Sequence, residues 1–244
     1  ELMTAGAPPP ASVLQGIEKL GFNVTQVYGL TETYGHTVMS TWNTDWDDAD
    51  AEHRAKLKAR QGAAMVMTGG MRIVDMESRD DVPADGESIG EILIRGNTVM
   101  KGYLKDNENT IESLKDGWFH TGDLAVMHPQ GYAEIKDRLK DIIISGGENI
   151  SSVEIEGVLH KHEAVSLAAV VALPDEKWGE VPCAFLELID GMTVSESEIE
   201  TFCRAHLAGF KRPKKVVFGE LPKTATGKIQ KYELRTLARS GKLN

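Results

Sequence analysis

The periodicity of apolar residues changes twice along this chain of 244 residues, and these changes restrict the folds that it can adopt. Up to residue 62, helical and strand patterns alternate. Over 63–136, glycines separate short runs in which apolar and polar residues alternate, as in antiparallel strands. Beyond Lys140, strand and helix patterns alternate again. We therefore predict an α/β piece (1–62), a small β subdomain (63–139) and a compact α+β domain (140–244).

Helix signals occur in all parts except the middle one. A first helix is predicted over 12–20 with Ser12 as its N-cap, and a second over 45–60, acidic at its start and basic at its end. Later helices are expected at two capping boxes, Ser151 with Glu154 and Ser195 with Glu198, and over 231–239. The predicted strands span 22–28, 71–75, 90–95, 118–127, 132–136, 142–144, 165–173, 181–189 and 215–218.

The composition excludes several classes of protein. A formal net charge of −10 argues against general nucleic-acid binding, although the stretch from Lys211 onward is basic, either as a solvated face or as a contact for an anionic ligand. No run reaches the eighteen or so apolar residues of a membrane helix. Cys183 and Cys203 fit a reducing compartment, so we expect a cytoplasmic protein. Because the chain begins at Glu1, we expect a fragment or a processed piece.

The hexapeptide YGLTET, residues 28–33, follows a predicted strand. Ligands of α/β folds gather at such strand ends. Tyr28 has a ring that can cover a base, Thr31 a hydroxyl for a phosphate, and Glu32 a carboxylate for Mg²⁺. An ordinary turn after a buried strand explains these residues equally well.

Two further turns contain groups that suit a nucleotide. Gly6, Ala7 and Pro8 form a turn of small residues, for which an ordinary loop is the simpler explanation. Asp123 ends the run WFHTGD, just past a predicted tight turn. A carboxylate there can accept two hydrogen bonds from a ribose diol, and a turn cap is the competing interpretation.

The second half contains two glycine segments. In SGGEN, residues 145–149, paired glycines permit close approach of the backbone, and the segment must also form a hairpin or begin a helix. Lys228 lies in PKTATGKI, residues 222–229. This is not a phosphate loop, because Pro222 and Ile229 occupy the positions of its first glycine and its Ser or Thr. Alone, Lys228 would be taken for a surface lysine on a flexible loop.

Taken in order, the segments YGLTE, TGD, DRLKD, SGGEN and ATGK resemble the later motifs of the adenylate-forming superfamily. The form SGGENI resembles the acyl-CoA synthetase branch, and residues 28–47 and 58–62 are similar to medium-chain acyl-CoA and 3-methylmercaptopropionate–CoA ligases. The resemblance implies that 1–139 is the C-terminal part of a large domain, with a small β-barrel subdomain, and that 140–244 is a mobile lid. The family's earlier Ser/Thr/Gly-rich phosphate loop has no counterpart in this sequence.

The resemblance implies an ATP-dependent acid–CoA ligase that uses ATP, Mg²⁺, CoA and a short- or medium-chain carboxylic acid. It is compatible with a homodimer and with contacts to an N-terminal half, without which we expect the fragment to be inactive. Two alternatives are an inert fragment that binds nucleotide or CoA, and the adenylation domain of a peptide synthetase.

The resemblance also assigns roles to single residues. Lys228, Thr31 and Glu32 act in adenylation, with Glu32 holding Mg²⁺. The nucleotide is expected to contact Gly6, Ala7, Pro8, Tyr28, Gly29, Asp123 and Arg138. The acyl group is expected to contact Gly29, Leu30 and Tyr34, and CoA to contact Gly146, Gly147 and Glu148. Lys140 is the expected hinge between the two half-reactions.

Overall fold

The computed structural model describes residues 1–6, 11–225, 227–241 and 243. It divides into two compact units, Glu1–Leu139 and Lys140–Asn244. Mixed α and β structure fills both units, in agreement with the predicted fold class. Within the described residues, no helix is long and apolar enough to cross a membrane.

The first unit begins with a four-stranded sheet of order β1-β2-β3-β4. Its strands are β1 (Leu2–Thr4), β2 (Val24–Leu30), β3 (Gly35–Met39) and β4 (Ala63–Ala64), and its helices are α1 (Ala11–Lys19) and α2 (Ala51–Lys58). Strands β1 and β2 are parallel, whereas β2 and β3 are antiparallel.

Two helix predictions in this part were wrong in detail. Helix α1 begins at Ala11, so Ser12 lies inside it and does not precede it as a cap. The helix predicted over 45–60 is divided into a 3₁₀ turn, Thr44–Trp46, and α2. The division arises because Asn43 caps the turn by accepting from the Asp45 amide, whereas Asp50 starts α2 by accepting from the His53 amide.

The rest of the first unit is an antiparallel sheet of order β5-β6-β8-β7, with β9 paired to β8. Its strands are β5 (Gly70–Val74), β6 (Ile89–Arg95), β7 (Leu114–Lys115), β8 (Trp118–Met127) and β9 (Ala133–Arg138). A helix that the sequence did not predict, α3 (Asn107–Ser113), is capped by Asp106. Ile92, Ile94 and Ala125 are fully buried and contribute to one core cluster with Val38 of the first sheet.

The second unit contains a sheet of order β11-β10-β13-β12, with β14 paired to β13. Its strands are β10 (Ile143–Ser145), β11 (Glu148–Ile150), β12 (Val165–Asp175), β13 (Gly179–Leu188) and β14 (Lys215–Phe218), and its helices are α4 (Ser152–Leu159), α5 (Glu196–His206) and α6 (Lys231–Arg239).

Apolar clusters lie on both faces of this second sheet. One cluster includes Ile155 of α4 and Ile199 of α5, and the other includes Leu234 of α6. The predicted capping box of Ser195 and Glu198 is confirmed. Ser151 caps α4 by accepting from the Glu154 amide.

Candidate functional site

Thr31 and Glu32 lie where strand β2 ends, in a 3₁₀ turn, Thr31–Thr33. The buried Thr33 hydroxyl fixes this turn: it accepts from the Leu30 amide at 2.9 Å and bonds the Gly35 carbonyl at 2.8 Å. Thr31 is exposed and Glu32 half-buried. The chain then turns through Tyr34, which has a φ of 56° and is 90% exposed. The turn therefore directs a hydroxyl and a carboxylate outward from a fixed backbone.

Tyr103 contacts the candidate metal ligand Glu32. Its hydroxyl donates to Glu32 Oε1 at 3.0 Å, and the Met100 amide donates to the Glu32 carbonyl at 2.7 Å. Partial burial and the nearby Glu32 carboxylate raise the pKa of Tyr103, so the phenol stays a donor. Nothing in the sequence pointed to Tyr103, which is 71 residues from Glu32.

Gly29 has a local packing reason to be glycine. The β2–β3 register shifts between Tyr28 and Gly29, and the backbone of the two strands approaches closely there. A Cβ atom on Gly29 would lie 1.9 Å from the Gly35 carbonyl oxygen. The close pairing of β2 and β3 alone therefore requires this glycine, whether or not the acyl group lies beside it. Leu30, the other predicted acyl contact, is half-buried.

Asp123 is the centre of a buried polar cluster. Tyr28 Oη donates to Asp123 Oδ2 at 2.8 Å, and Arg138 Nε lies 3.0 Å from Asp123 Oδ1. The Asp123 side chain is 4% exposed, compared with 39% for Arg138. Three predicted nucleotide residues, drawn from β2, β8 and β9, are thus brought together.

The predicted position of Asp123 just past a tight turn was wrong. The residue lies inside β8, opposite Arg138 of β9. The turn-like sequence Thr-Gly-Asp instead forms an irregularity of the β6–β8 ladder. A bulge can change the direction of a side chain while the strand continues beyond it.

Burial raises the pKa of Tyr28 well above its ordinary value, and the Asp123 carboxylate raises it further. The phenol is therefore neutral over the whole physiological range and acts as a donor. With Arg138 on the other oxygen, the phenol holds the Asp123 carboxylate in place from two sides. Such a carboxylate, with two lone pairs on each oxygen, suits a ligand that offers hydroxyl groups.

Gly6, the other predicted nucleotide contact of the first unit, follows β1, has a φ of 94° and is exposed. The predicted contacts Ala7 and Pro8 lie outside the described residues. Lys140 is exposed and is the first residue of the second unit.

Gly146 and Gly147 form the two-residue turn of the β10–β11 hairpin, in which Ser145 pairs with Glu148. Their φ values of 60° and 89° match the turn type that hairpins prefer and that glycine adopts easily. A Cβ atom on Gly146 would lie 2.7 Å from Cε3 of Trp178, a residue that is 46% exposed. The sequence did not single out Trp178, which places an aromatic surface beside this turn.

Lys228 lies on a loop whose base is ordered. Lys223 and Ile229 form a β-bridge, and the Thr224 amide donates to the Lys228 carbonyl at 2.9 Å. The Lys228 amide donates in turn to Thr224 Oγ1 at 3.1 Å. The side chain of Lys228 is exposed. The loop is therefore a closed turn that presents a cation, and is more constrained than its composition suggested.

Trp42 and Trp46 pack edge to face with ring centroids 5.4 Å apart. Trp46 also contacts the ring of Tyr132 at 4.9 Å. No cluster of three or more potential metal ligands occurs among the described residues.

Comparison with known proteins places these features in a family. The profile of the AMP-binding enzyme family matches residues 1–104, and that of the AMP-binding enzyme C-terminal domain matches residues 154–228. Acetate–CoA ligase CCL3 of Humulus lupulus is 52% identical over 243 residues, which are 98% of this chain and 43% of the relative. For 2-methylpropanoate–CoA ligase CCL4 of the same plant, the identity is 54%, over 98% of this chain and 44% of the relative.

Solved structures of CoA synthetases and related enzymes are also similar to this chain. O-succinylbenzoate CoA synthetase from Bacillus subtilis, in complex with its acyl-adenylate intermediate, has a TM-score of 0.80 at 33% identity, over 96% of this chain and 45% of that one. ATP-bound MatB from Rhodopseudomonas palustris has a TM-score of 0.84 at 31% identity, over 97% and 45%.

The chain therefore belongs to the adenylate-forming superfamily. Within that superfamily it belongs to the acyl-CoA synthetase branch. It spans less than half the length of the curated relatives that it matches.

Proposed function

We propose that this chain forms the C-terminal part of an ATP-dependent acid–CoA ligase, which makes an acyl-adenylate and then an acyl-CoA. The observation that carries the proposal is the buried Asp123 carboxylate, held between Tyr28 and Arg138. A desolvated carboxylate fixed by two donors is suited to bind the ribose hydroxyls of a nucleotide. The turn of Thr31 and Glu32 begins three residues after Tyr28 and supplies groups for the phosphate end.

In the adenylation step, the substrate carboxylate attacks the α-phosphate of ATP and pyrophosphate leaves. Lys228 bridges the carboxylate and the α-phosphate as a point charge, while Thr31 donates its hydroxyl to the α-phosphate. Glu32 is the residue that would hold Mg²⁺, which neutralises phosphate charge when bound. The bond from Tyr103 fixes one oxygen of Glu32 and so orients the carboxylate. Tyr28 and the turn at Gly6 contact the adenine.

In the second step, the CoA thiol attacks the acyl-adenylate and AMP leaves. We assign the pantetheine arm of CoA to the Gly146-Gly147 turn and Glu148, all three of which are exposed. Lys228 and this turn both belong to the second unit. Rotation about Lys140 would allow the two segments to serve their half-reactions in turn.

A short- or medium-chain carboxylic acid is the proposed substrate, with Gly29, Leu30 and Tyr34 beside the acyl group. Relatives named for acetate and for 2-methylpropanoate support the short end of this range, and 3-methylmercaptopropionate is a further candidate. We propose a cytoplasmic enzyme that forms a homodimer and that needs contacts from an N-terminal half. A relative in Arabidopsis thaliana is named as peroxisomal, so localisation of a tagged full-length protein is the test of the compartment.

The activity is tested by carboxylate-dependent exchange of pyrophosphate into ATP, followed by CoA-dependent thioester formation, with a panel of short- and medium-chain acids. We expect both activities from a protein that has the full length of its relatives. The 244-residue chain alone should show neither, because its sequence lacks the phosphate loop. Full-length protein that binds AMP and CoA by calorimetry without exchange would favour the inert binding alternative. Exchange followed by transfer to a carrier protein, but not to CoA, would favour a peptide-synthetase adenylation domain.

A further inference from the structure

We propose that Glu91 is a positioning residue for the nucleotide site, because its buried carboxylate holds the bulge of β8 that presents Asp123. This inference rests on the proposed function, since it assumes that Asp123 binds the ribose. Glu91 belongs to the neighbouring strand β6 and is not itself assigned a contact with ATP, CoA or the acid.

The bulge is defined by the register of the β6–β8 ladder. Leu93 faces His120, and Glu91 faces Leu124. One residue of β6, Ile92, therefore spans the same distance as three residues of β8, Thr121 to Asp123. Extra residues in a strand lose their ladder partners and need other hydrogen bonds.

Two side-chain anchors supply those bonds. The Thr121 hydroxyl donates to the Ile92 carbonyl at 2.7 Å and accepts from the Asp123 amide at 3.1 Å. The Gly122 amide donates to Glu91 Oε1 at 3.1 Å. Each anchor thus fixes one backbone amide of the bulge. These bonds therefore set the orientation of the backbone that carries the Asp123 side chain.

Glu91 is suited to this role because its carboxylate is itself fixed. The residue is 7% exposed. His120 Nδ1 lies 2.9 Å from its other oxygen, Oε2, and Arg79 Nη1 lies 3.5 Å from the same atom. A buried carboxylate accepts from all these donors at once, whereas a glutamine amide would have to turn its NH₂ group toward one of them. The charge of Glu91 is therefore part of the support.

The chain offers a matched control in the same sheet. Glu134 of β9 also lies beside a histidine, with His128 Nε2 at 2.8 Å, and beside the Lys136 ammonium, with Nζ at 2.6 Å. None of these three residues belongs to the bulge at Thr121–Asp123. Glu134→Gln therefore removes a similar charge from the sheet without changing an anchor of Asp123.

The test compares Glu91→Gln with Glu134→Gln in the full-length enzyme, by steady-state kinetics and by calorimetric binding of AMP. We expect Glu91→Gln to raise the KM for ATP and the Kd for AMP about 10-fold, the loss typical of one charge-assisted hydrogen bond. The KM for CoA and the kcat at saturating ATP should change less than twofold. Glu134→Gln should leave all four constants within twofold of wild type.

Two outcomes would overturn the positioning role: nucleotide constants that Glu91→Gln changes no more than Glu134→Gln, or a uniform loss of all activities in a Glu91→Gln enzyme that is folded. If Glu91→Gln fails to fold, Thr121→Val is the test, because it removes the other anchor of the bulge. This variant must then raise the KM for ATP and the Kd for AMP. Asp123→Asn separates this inference from the function itself. If Asp123→Asn leaves AMP binding intact, the proposed nucleotide site is wrong. If it abolishes binding while Glu91→Gln has no effect, only the positioning role is wrong.

Discussion

Lys231 and Glu156 join the two helices that follow the candidate segments of the second unit. The Lys231 ammonium lies 2.7 Å from Glu156 Oε1, with both side chains less than a fifth exposed. Lys231 also donates to Ser152 at the start of α4, and Glu156 accepts from the Val170 amide. Lys231 opens α6, three residues after Lys228. The loop of Lys228 and the hairpin that leads into α4 are thus connected through one buried ion pair.

Lys231→Met should destabilise the second unit by about 3 kcal/mol, because it leaves the Glu156 carboxylate buried without its cation. The effect should appear as faster native-state hydrogen exchange in peptides from α4 and α6, measured by mass spectrometry. Arg204→Ala is the control, since Arg204 and Glu200 form a well-exposed pair on α5. Similar exchange rates in both variants would show that the buried Lys231–Glu156 pair stabilises the second unit no more than an exposed pair does.

Tyr28→Phe should alter the alkaline stability of the first unit. The folded-state pKa of Tyr28 is raised, so the phenol keeps its proton in the folded chain at pH values where the unfolded chain loses it. Its contribution is complete below pH 10 or so and is lost as the pH rises through the folded pKa.

Denaturant unfolding at a series of pH values should therefore give a shallower alkaline loss for Tyr28→Phe than for wild type, together with lower stability near neutrality. Tyr34→Phe removes a hydroxyl from a side chain that is 90% exposed and is the control. If the free energy of unfolding falls equally steeply at alkaline pH in wild type and Tyr28→Phe, the raised pKa of the buried phenol is contradicted.

The two glycines of the β10–β11 turn should respond differently to alanine. Both have positive φ, so each substitution costs about 1 kcal/mol of backbone strain. Only Gly146→Ala adds a clash, with the ring of Trp178. We expect Gly146→Ala to lower the free energy of unfolding by about 2 kcal/mol and Gly147→Ala by about 1 kcal/mol. Thermal denaturation tests the order, and equal effects would show that Trp178 moves aside freely.

The strand patterns could be predicted from the sequence because they are local. The predicted strand over 215–218 and helix over 231–239 have the bounds that the structure shows. The helix predicted over 45–60 failed because charge bias does not reveal that Asp50 caps a new start in its middle. The strand periodicity was correct through β8, but Thr-Gly-Asp has the composition of a turn, and only the ladder with β6 shows it to be a bulge.

Contacts between distant segments could not be predicted in this way. Tyr28 and Asp123 are 95 residues apart, and their hydrogen bond depends on the packing of two sheets in the first unit. Both residues carried a signal, because Tyr28 opens YGLTET and Asp123 ends WFHTGD. Tyr103 and Glu91 carried none, since their roles come only from the groups that the fold places beside them.

Lys228→Ala in the full-length enzyme should lower the rate of adenylation by roughly 10²–10³, the loss typical of one group that stabilises a transition state. It should leave thioester formation from supplied acyl-adenylate unchanged, because the two half-reactions use different segments of the second unit. Single-turnover measurements of each half-reaction test this. Lys223→Ala is the matched control, since it removes a cation from the base of the same loop, where Lys223 is 2.7 Å from Glu187. Its adenylation rate should stay within a few-fold of wild type. If Lys228→Ala slows both half-reactions equally, the alternation about Lys140 is contradicted. If Lys228→Ala and Lys223→Ala slow adenylation equally, the structure of the loop, and not the charge of Lys228, is responsible.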